Sequence, residues 1–391
     1  MKLPRVAVFS ELPTPYRWPV YRRLLERDDL ELQIFFLARS EPDRDWDFAF
    51  SPDPRVRFLP VRTLSFSGYR SVHYHVNPGI FGVLARGRFD VVVFPGWAMF
   101  ASHAGALWCR ARRRRYIVFS ETHGLRPRSR AGRLPGRLLA SAVVRGASAF
   151  LAASGPAADH LAGLGARRQA IFAFPNSPDV RGLAATAASA RRAGTSTRTE
   201  AGGVILFAGR LIGAKRVDLL IEAVSGLRRS GRPVDLWIAG DGPERAGLRE
   251  RAVLLPGPPV RFLGNVGYRE LVGLYASADV FVLPSDHEPF GAVVAEAMAC
   301  GVPAVVSDRV GAGPDLVIPG VTGAVFTHGS SEALRASLAE ILGSPGRAAT
   351  MGRAAAAHVA KSDHESCAAN FMSAVGYALA GASADRPPGG R

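Results

Sequence analysis

The chain of 391 residues has little cysteine, little lysine and no long apolar run. Its three cysteines are too few and too scattered for a disulfide framework or a zinc cluster. A membrane span needs about 20 uncharged apolar residues, and the closest stretch, 138–153, is interrupted by Arg145. The first apolar stretch, residues 6–9, is too short for the core of a signal peptide. These absences predict a reduced, cytoplasmic protein.

Acidic residues are scarce in the first half of the chain. Positions 1–200 hold 31 basic and 15 acidic residues, whereas the remainder holds 18 of each. Eleven arginines lie between positions 110 and 145, where Glu121 is the one acid. Such a field attracts an anionic membrane, a nucleic acid or a phosphorylated partner. With three lysines in the whole chain, a general preference for arginine on solvated helices explains the excess equally well.

Short apolar runs alternate with helical stretches throughout the chain, which is typical of parallel sheets covered by helices on both faces. We predict strands at residues 6–9, 32–37, 55–61, 91–94, 116–120, 149–153, 170–174, 204–208, 236–239, 261–263, 280–283, 304–307 and 323–326. So many strands exceed one comfortable sheet. The sequence therefore predicts two doubly wound α/β domains, at 1–176 and 203–357. The weakly apolar segment 177–202 is predicted to be a linker, and 381–391 a loose tail.

The loops that follow the strands are where such folds bind ligands. After the strand at 204–208, Gly209 permits a tight turn, and Arg210 and Lys215 lie around a helix N-terminus. A guanidinium fork beside an ammonium group is suited to a diphosphate. Two solvated bases on a loop are the alternative interpretation.

The next two strands also end at glycines. Gly240, Asp241 and Gly242 form a turn where the backbone can approach a ligand closely. Gly264 ends the following strand, and the backbone from there to Val266 could read the edge of a base. Both turns are also common in α/β proteins that bind nothing at this place.

The loop and helix after the strand at 280–283 carry two glutamates. Glu288 precedes the helix and Glu296 lies inside it, about 80° apart on a helical wheel, so both can face one ligand. Carboxylates accept hydrogen bonds from sugar hydroxyls, and the N–H groups of Phe290 and Gly291 can hold phosphate. A spacing of eight is common by chance, but a glutamate in an apolar helix is costly without a partner.

Taken together and in this order, these motifs resemble the retaining GT-B glycosyltransferases of family 4, also called glycosyl transferases group 1. The resemblance is dense over 200–330 and includes Gly320-Val321-Thr322-Gly323. It implies two Rossmann-like domains facing an interdomain cleft, with the acceptor on the first and the nucleotide sugar on the second. A helix at about 358–380 would pack back on the first domain. It implies no metal and no cofactor, because cationic side chains and helix termini neutralise the leaving group.

The resemblance also assigns roles to residues. Arg210 and Lys215 would bind the donor diphosphate, Glu288 the donor hexose and Glu296 the ribose. His123, in the loop after the strand at 116–120, would lie near the hexose; a hydrogen-bonded loop histidine is the alternative. The predicted catalytic residues are His123, Arg210, Lys215 and Glu288. The predicted donor-binding residues are Gly209, Gly240, Asp241, Gly264, Val266, Ser285, Phe290, Gly291 and Glu296.

Three residues of the first domain are candidates for the acceptor. Tyr16 and Arg17 belong to a Pro-Tyr-Arg loop after the first strand, which departs from the Gly-Gly turn common in the family. Arg17 could meet donor phosphate or acceptor. Trp97 follows the strand at 91–94 and could be an aromatic platform for an acceptor sugar, or could cap the core.

The resemblance implies retaining transfer of a hexose from a nucleotide-diphosphate sugar to an acceptor hydroxyl. The basic first domain favours a lipid-linked glycan or polysaccharide precursor, reached by peripheral contact with anionic lipid on the inner face of the plasma membrane. A soluble small-molecule or natural-product acceptor is the main alternative. An epimerase or hydrolase on the same fold would carry more acids in its first domain. A non-enzymatic nucleic-acid-binding protein would interleave aromatic residues with the arginines, so we expect no nucleic-acid partner.

Overall fold

A computed structural model describes residues 3–40, 53–66, 72–125, 133–193 and 203–384. The chain forms two compact units. The first comprises Met1–Asn176 together with His364–Arg391, and the second comprises Ser177–Asp363. The first unit is therefore built from two separate parts of the sequence, and the residues of the second unit lie between those parts along the chain.

The first unit is organised around a parallel sheet of seven strands, ordered β3-β2-β1-β6-β7-β8-β9. The nine strands described in this unit are β1 (Arg5–Ser10), β2 (Glu31–Phe36), β3 (Val56–Phe58), β4 (Arg62–Phe66), β5 (Val72–Val76), β6 (Val91–Pro95), β7 (Arg115–Ser120), β8 (Ala149–Ala152) and β9 (Ile171–Ala173); β4 and β5 lie outside the seven-stranded sheet. Its helices are α1 (Trp18–Leu25), α2 (Ile80–Gly87), α3 (Phe100–Ala111), α4 (Arg133–Arg145), α5 (Gly155–Gly163) and, at the end of the described chain, α14 (His364–Ala384). Apolar clusters lie on both faces of the sheet, which explains why β6 is buried along its whole length.

The remaining two strands of this unit, β4 and β5, form an antiparallel hairpin that the sequence did not predict. Thr63 pairs with His75 at 3.0 Å, and Ser65 pairs with His73 at 2.9 Å. Residues 61–65 are exposed, so β4 has no apolar run that would reveal it. Residues 67–71 lie outside the described chain.

The second unit contains a parallel sheet of six strands, ordered β12-β11-β10-β13-β14-β15. Its strands are β10 (Val204–Ala208), β11 (Asp235–Ala239), β12 (Arg261–Gly264), β13 (Val280–Leu283), β14 (Ala304–Ser307) and β15 (Gly323–Phe326). Its helices are α6 (Val180–Arg192), α7 (Val217–Arg229), α8 (Arg245–Val253), α9 (Tyr268–Ser277), α10 (Ala292–Ala299), α11 (Gly313–Leu316), α12 (Ser331–Leu342) and α13 (Arg347–Val359). The strand order reverses between β10 and β13, and that switch point is where doubly wound sheets bind ligands. The predicted α/β class with two doubly wound parallel sheets is confirmed.

Helix α6 occupies much of the segment 177–202 that was predicted to be a linker. Val180, Leu183 and Ala187 are buried, and the Asp179 carboxylate caps the helix by accepting from the Gly182 N–H at 3.0 Å. The helix packs in the second unit against α9 and α10. An alanine-rich composition with Ser, Thr and Arg is shared by linkers and amphipathic helices, so composition alone misassigned this segment. Residues 194–202 lie outside the described chain.

Helix α14 belongs to the first unit, although it follows the second in sequence. It packs on α1 and on β7, β8 and β9. Its buried apolar residues are Cys367, Ala368, Phe371, Ala374, Val375 and Ala378. The loose tail predicted at 381–391 lies outside the described residues from 385 onward. Of the helices described, none combines the length and apolar character needed to cross a membrane.

Candidate functional site

Three glycines form a bare stretch of backbone where β10, β11 and β12 end. Gly209, Gly240 and Gly264 all have positive φ, at 151°, 133° and 72°. The Gly240 N–H donates to the Gly264 carbonyl at 2.7 Å. A Cβ atom at Gly240 would lie 1.9 Å from the Gly209 carbonyl oxygen. Only glycine fits there, so this edge presents backbone groups rather than side chains.

Lys215 and Glu288 meet across the switch point. Lys215 ends a 3₁₀ turn, Gly213–Lys215, in the loop after β10, and Glu288 lies in the loop after β13. The Lys215 ammonium donates a hydrogen bond to Oε2 of Glu288. Their side chains are 18% and 15% exposed. A mostly buried ion pair that still reaches solvent can bind a charged or hydroxylated ligand.

Arg216 ties the same two loops together, and sequence reasoning missed it. Its guanidinium donates to Asp218 at 3.0 Å and to Asp286, in the loop after β13, at 3.2 Å. The Asp286 N–H donates to the Ala214 carbonyl at 2.9 Å. Arg216 has a left-handed backbone, φ 50°, which is uncommon for a non-glycine residue. The one sequence signal was an arginine two residues before an aspartate.

The loop that carries Glu288 is fixed through its backbone. The Glu288 N–H donates to the Arg309 carbonyl at 3.1 Å, and the Glu288 carbonyl accepts from Gly311 at 2.9 Å. Gly291, with φ 94°, precedes α10, and a Cβ there would lie 3.1 Å from Leu283 and 3.2 Å from Glu288. The first N–H groups of a helix have no intrahelical acceptor, so α10 begins beside Glu288 with donors available to an anion.

Phe290 and Ser285 of this loop face the protein interior, whereas Glu296 of α10 is half-buried. The Phe290 ring is buried and packs as a core residue. Ser285 is fully buried, its carbonyl accepts from the Ser307 hydroxyl at 2.5 Å, and its own Oγ has no hydrogen-bond partner among the residues that the structure describes. The Tyr275 hydroxyl donates to Glu296 at 3.1 Å. Burial raises the pKa of the Glu296 carboxyl, and the hydrogen bond from Tyr275 opposes that rise.

Three further predicted site residues, one catalytic and two donor-binding, lie in the loops after β10, β11 and β12. Arg210 is exposed on the loop after β10. Asp241 accepts a hydrogen bond from Arg245 at 2.6 Å and thereby holds the start of α8. Val266 is half-buried after β12.

In the first unit, Arg17 is a buried residue. Its guanidinium lies 4.2 Å from the Phe119 ring centroid and 4.4 Å from that of Phe174. It donates to the Asn176 side chain and to the Phe174 carbonyl, and it lies 3.7 Å from Glu121. Its side chain is 5% exposed. Arg17 is therefore held by groups of its own unit.

His123 and Trp97 lie in loops that follow neighbouring strands, β7 and β6. His123 is buried, and its Nδ1 accepts from the Leu125 N–H at 3.3 Å. Trp97 is half-buried and stands 5.7 Å from the His160 ring, centroid to centroid. Tyr16 is half-buried in the loop after β1. Among the residues described, no group of three or more His, Cys, Asp or Glu side chains could hold a metal ion.

Comparison with known families supports the architecture and the motifs. Residues 195–358 match the model of the family described as glycosyl transferases group 1, and residues 16–177 match the glycosyl transferase 4-like domain. Together these matches cover most of the chain. The chain belongs to the group 1 glycosyltransferases, and its two parallel sheets are those of the GT-B fold.

Individual relatives resemble this chain over part of its length. It is 31% identical over 191 residues to D-inositol 3-phosphate glycosyltransferase of Segniliparus rotundus, covering 46% of this chain and 40% of that one. It is 44% identical over 105 residues to the GDP-mannose-dependent alpha-(1-6)-phosphatidylinositol dimannoside mannosyltransferase of Mycobacterium tuberculosis, covering 27% of each. The matches thus span less than half of these relatives. Anabaena Alr3699/HepE, solved in complex with UDP, has the same fold, with TM-score 0.72, 19% identity, and coverage of 96% of this chain and 100% of that one.

Proposed function

We propose that this chain is a retaining glycosyltransferase that moves a hexose from a nucleotide-diphosphate sugar to an acceptor hydroxyl. The observation that carries the proposal is the Lys215–Glu288 pair at the switch point of the second sheet, beside glycine turns that end three strands. The pair combines a cation for phosphate with a carboxylate for sugar hydroxyls, and the glycine turns leave room for a nucleotide.

The Lys215–Glu288 contact is compatible with ligand binding by both groups. An ammonium group has three donors, so Lys215 can hold Glu288 and a phosphate oxygen together. Glu288 retains acceptor positions for hydroxyl groups of the hexose. Arg210 and the start of α10 add positive charge at the diphosphate, and Glu296 receives the ribose. In this mechanism the charge on the departing nucleotide is stabilised without a divalent metal.

The first unit supplies the acceptor side of the reaction. We assign His123 to the donor hexose and Trp97 and Tyr16 to the acceptor; Arg17, whose guanidinium is held inside the unit, is left out. The acceptor hydroxyl attacks the anomeric carbon as the phosphate–sugar bond breaks. The hydroxyl attacks from the face that the phosphate leaves, and a phosphate oxygen of the leaving group takes its proton, so the anomeric configuration is retained. The rate then depends on positioning and charge stabilisation.

Relatives and neighbours suggest the substrates. HepE is solved with UDP and the Mycobacterium tuberculosis relative is GDP-mannose-dependent, so UDP- and GDP-sugars are the donors we propose. The same relative's phosphatidylinositol dimannoside acceptor supports a lipid-linked acceptor for this chain. The D-inositol 3-phosphate relative favours, as a second candidate, a soluble phosphorylated acceptor.

The surface of the first unit is suited to a lipid-linked acceptor. Leu107 is 70% exposed on α3, and Leu138 and Leu139 are 66% and 49% exposed on α4. They lie within the arginine-rich stretch 110–145 and its immediate approach. Apolar side chains among cations favour the interface of an anionic membrane. We therefore propose peripheral contact with the cytoplasmic face of the plasma membrane.

A donor panel tests the proposal. The purified chain is incubated with UDP- and GDP-hexoses, with and without chelator, and nucleoside diphosphate release is measured. One donor should be consumed, and K215A and E288Q should each lower turnover by about 100-fold or more. K361A, at an exposed lysine of the same unit, is the matched control and should not change turnover. No binding or consumption of any donor, or full activity in both site variants, would overturn the proposal.

A further inference from the structure

The first unit contains a cavity of about 250 Å³ at the edge of the sheet opposite to Trp97 and His123. Trp97 and His123 follow β6 and β7, whereas the cavity lies where the same two strands begin. Arg88 and Phe89 come from the connection between α2 and β6, and Arg112 and Arg114 from the connection between α3 and β7. We call this the arginine cavity. None of the residues that we assign to the transfer reaction lines it.

Positive charge converges on the arginine cavity, and none of the described residues that line it is a carboxylate. The side chains of Arg88, Arg112 and Arg114 make no hydrogen bond or ion pair with the part of the protein that the structure describes. Arg112 lies 5.9 Å from the Trp108 ring centroid, a cation–π contact that holds one guanidinium over the cavity wall. Like charges gathered on a concave surface repel one another, and an anion relieves that repulsion.

The backbone and the apolar lining add to this arrangement. Arg88 has φ 48°, a left-handed backbone conformation that is uncommon for residues other than glycine. The chain therefore places an arginine where glycine would have less backbone strain. Leu84 and Phe89 are buried at the cavity, and Trp108 adds an aromatic wall. The lining therefore combines the guanidinium groups of three arginines with an apolar surface formed by Leu84, Phe89 and Trp108.

We propose that the arginine cavity binds the phosphate group of a phosphate ester. Guanidinium groups bind phosphate oxygens through paired N–H donors. Three guanidinium groups match the charge of a phosphate dianion better than that of a carboxylate, which carries a single negative charge. The carbon part of the ester would lie against Trp108 and Phe89. A soluble phosphorylated molecule and a phospholipid headgroup share this chemistry. The proposal does not depend on the transfer reaction, because it uses residues at the other edge of the sheet.

The test uses the full chain carrying K215A, so that phosphate binding at the proposed donor site is reduced. Inorganic phosphate is titrated at constant ionic strength and followed by calorimetry and thermal shift. R88Q and R114Q should each weaken binding by about tenfold, the size expected for one charge-assisted hydrogen bond. R113Q removes an exposed arginine of the same run that does not line the cavity, and it should change affinity by less than about twofold. Circular dichroism checks that each variant is folded.

A second arm separates the two sources of phosphate. Flotation is measured with phosphatidylcholine vesicles, with and without phosphatidic acid. If R88Q and R114Q weaken both phosphate binding and flotation with phosphatidic acid, the cavity takes a lipid headgroup. If they weaken phosphate binding alone, it takes a soluble phosphate ester. If no phosphate binds to the parent, or if R113Q is as damaging as R88Q and R114Q, the positive charge is diffuse and the proposal is overturned.

Discussion

The surroundings of the Glu296 carboxyl group disfavour its charged form. Burial raises its pKa above the ordinary value of 4.5, so above that pH the folded state binds protons more strongly than the unfolded chain. The contribution of Glu296 to the free energy of unfolding therefore falls as the pH rises from about 4.5 through its folded-state pKa. The Tyr275 hydroxyl, at 3.1 Å, recovers part of the cost of keeping the carboxylate charged.

We predict that Glu296→Gln removes this pH dependence. The variant should be more stable than the parent at pH 7, and the difference should shrink as the pH approaches 4.5, because the parent carboxyl is then protonated. Thermal unfolding between pH 4.5 and 8 measures the effect. Glu270→Gln, at an exposed position of α9, is the control. A parent stability that rises with pH relative to Glu296→Gln would contradict the prediction.

Gly240 is a position where one methyl group decides whether the sheet edge can form. Its φ of 133° and the 1.9 Å approach of a Cβ to the Gly209 carbonyl exclude any side chain without backbone movement. We predict that Gly240→Ala destabilises the second unit by about 3 kcal/mol or more. Urea unfolding measures the loss.

Gly247 provides the matched control for that substitution. It lies exposed in α8, and a Cβ there would meet nothing within 4 Å. Gly247→Ala should be neutral or stabilising by up to about 1 kcal/mol, because alanine favours a helix interior. Equal destabilisation by both substitutions would show that the close approach at Gly240 is not the cause.

Single residues also mark the limit of what the sequence reveals. The Pro-Tyr-Arg loop predicted that Arg17 contacts a ligand, yet its guanidinium lies between Phe119 and Phe174. Phe174 is 157 positions away, and no local pattern reports such a contact. Lys215 and Glu288 were assigned individually from the resemblance, but their direct pairing depends on how β10 and β13 lie side by side.

At the scale of elements, the loops after β10 and β13 act as one structure because Arg216 joins them. The Arg216 contacts with Asp218 and Asp286 are partly exposed, and such ion pairs contribute little to stability. These contacts instead fix the positions of Lys215 and Glu288, because Lys215 directly precedes Arg216 and Glu288 lies two residues after Asp286. Loss of the tie should therefore change the geometry of the pair more than the stability of the unit.

We predict that Arg216→Asn lowers turnover of the donor by about tenfold while the unfolding temperature changes by no more than a few degrees. Asparagine tolerates the left-handed backbone, so the substitution removes the guanidinium with little added strain. Steady-state kinetics and thermal unfolding are measured together. Arg192→Asn, at an exposed end of α6, is the control. Unchanged turnover in Arg216→Asn would show that the tie does not position the site.

The elements of the two main sheets could be predicted because buried parallel strands are continuous apolar runs. Strand β10 is buried at all five residues, and its apolar run was recognised directly. The hairpin of β4 and β5 escaped because its polar His, Ser and Thr residues pair with one another. Helix α6 escaped because Val180, Leu183 and Ala187 give a sparse apolar face in an alanine-rich segment.

At the scale of the whole molecule, α14 completes the core of the first unit from the far end of the chain. Phe371 is fully buried, and its ring lies 5.9 Å from that of Phe174. We predict that Phe371→Ala destabilises the first unit by about 3–5 kcal/mol. Its calorimetric transition should fall by roughly 6–20 °C, while that of the second unit is unchanged.

Ser373→Ala is the matched control for this prediction. Ser373 is exposed on α14 and its hydroxyl donates to the Ala369 carbonyl within the helix. Its loss should shift the transition by no more than about 2 °C. A Phe371→Ala variant that lowers only the transition of the second unit would contradict the assignment of α14 to the first.

Because α14 is made after Ser177–Asp363, synthesis and folding cannot follow the same order. A ribosome delivers β1 to β9 before α14, so the apolar surface that packs against Phe371 and its neighbours remains uncovered until α14 is synthesised. The inserted second unit has its own sheet and core, so it can fold before α14 packs on the first unit. Chaperones that protect apolar surfaces would therefore be needed most by the strands of the first unit, which are synthesised before α14.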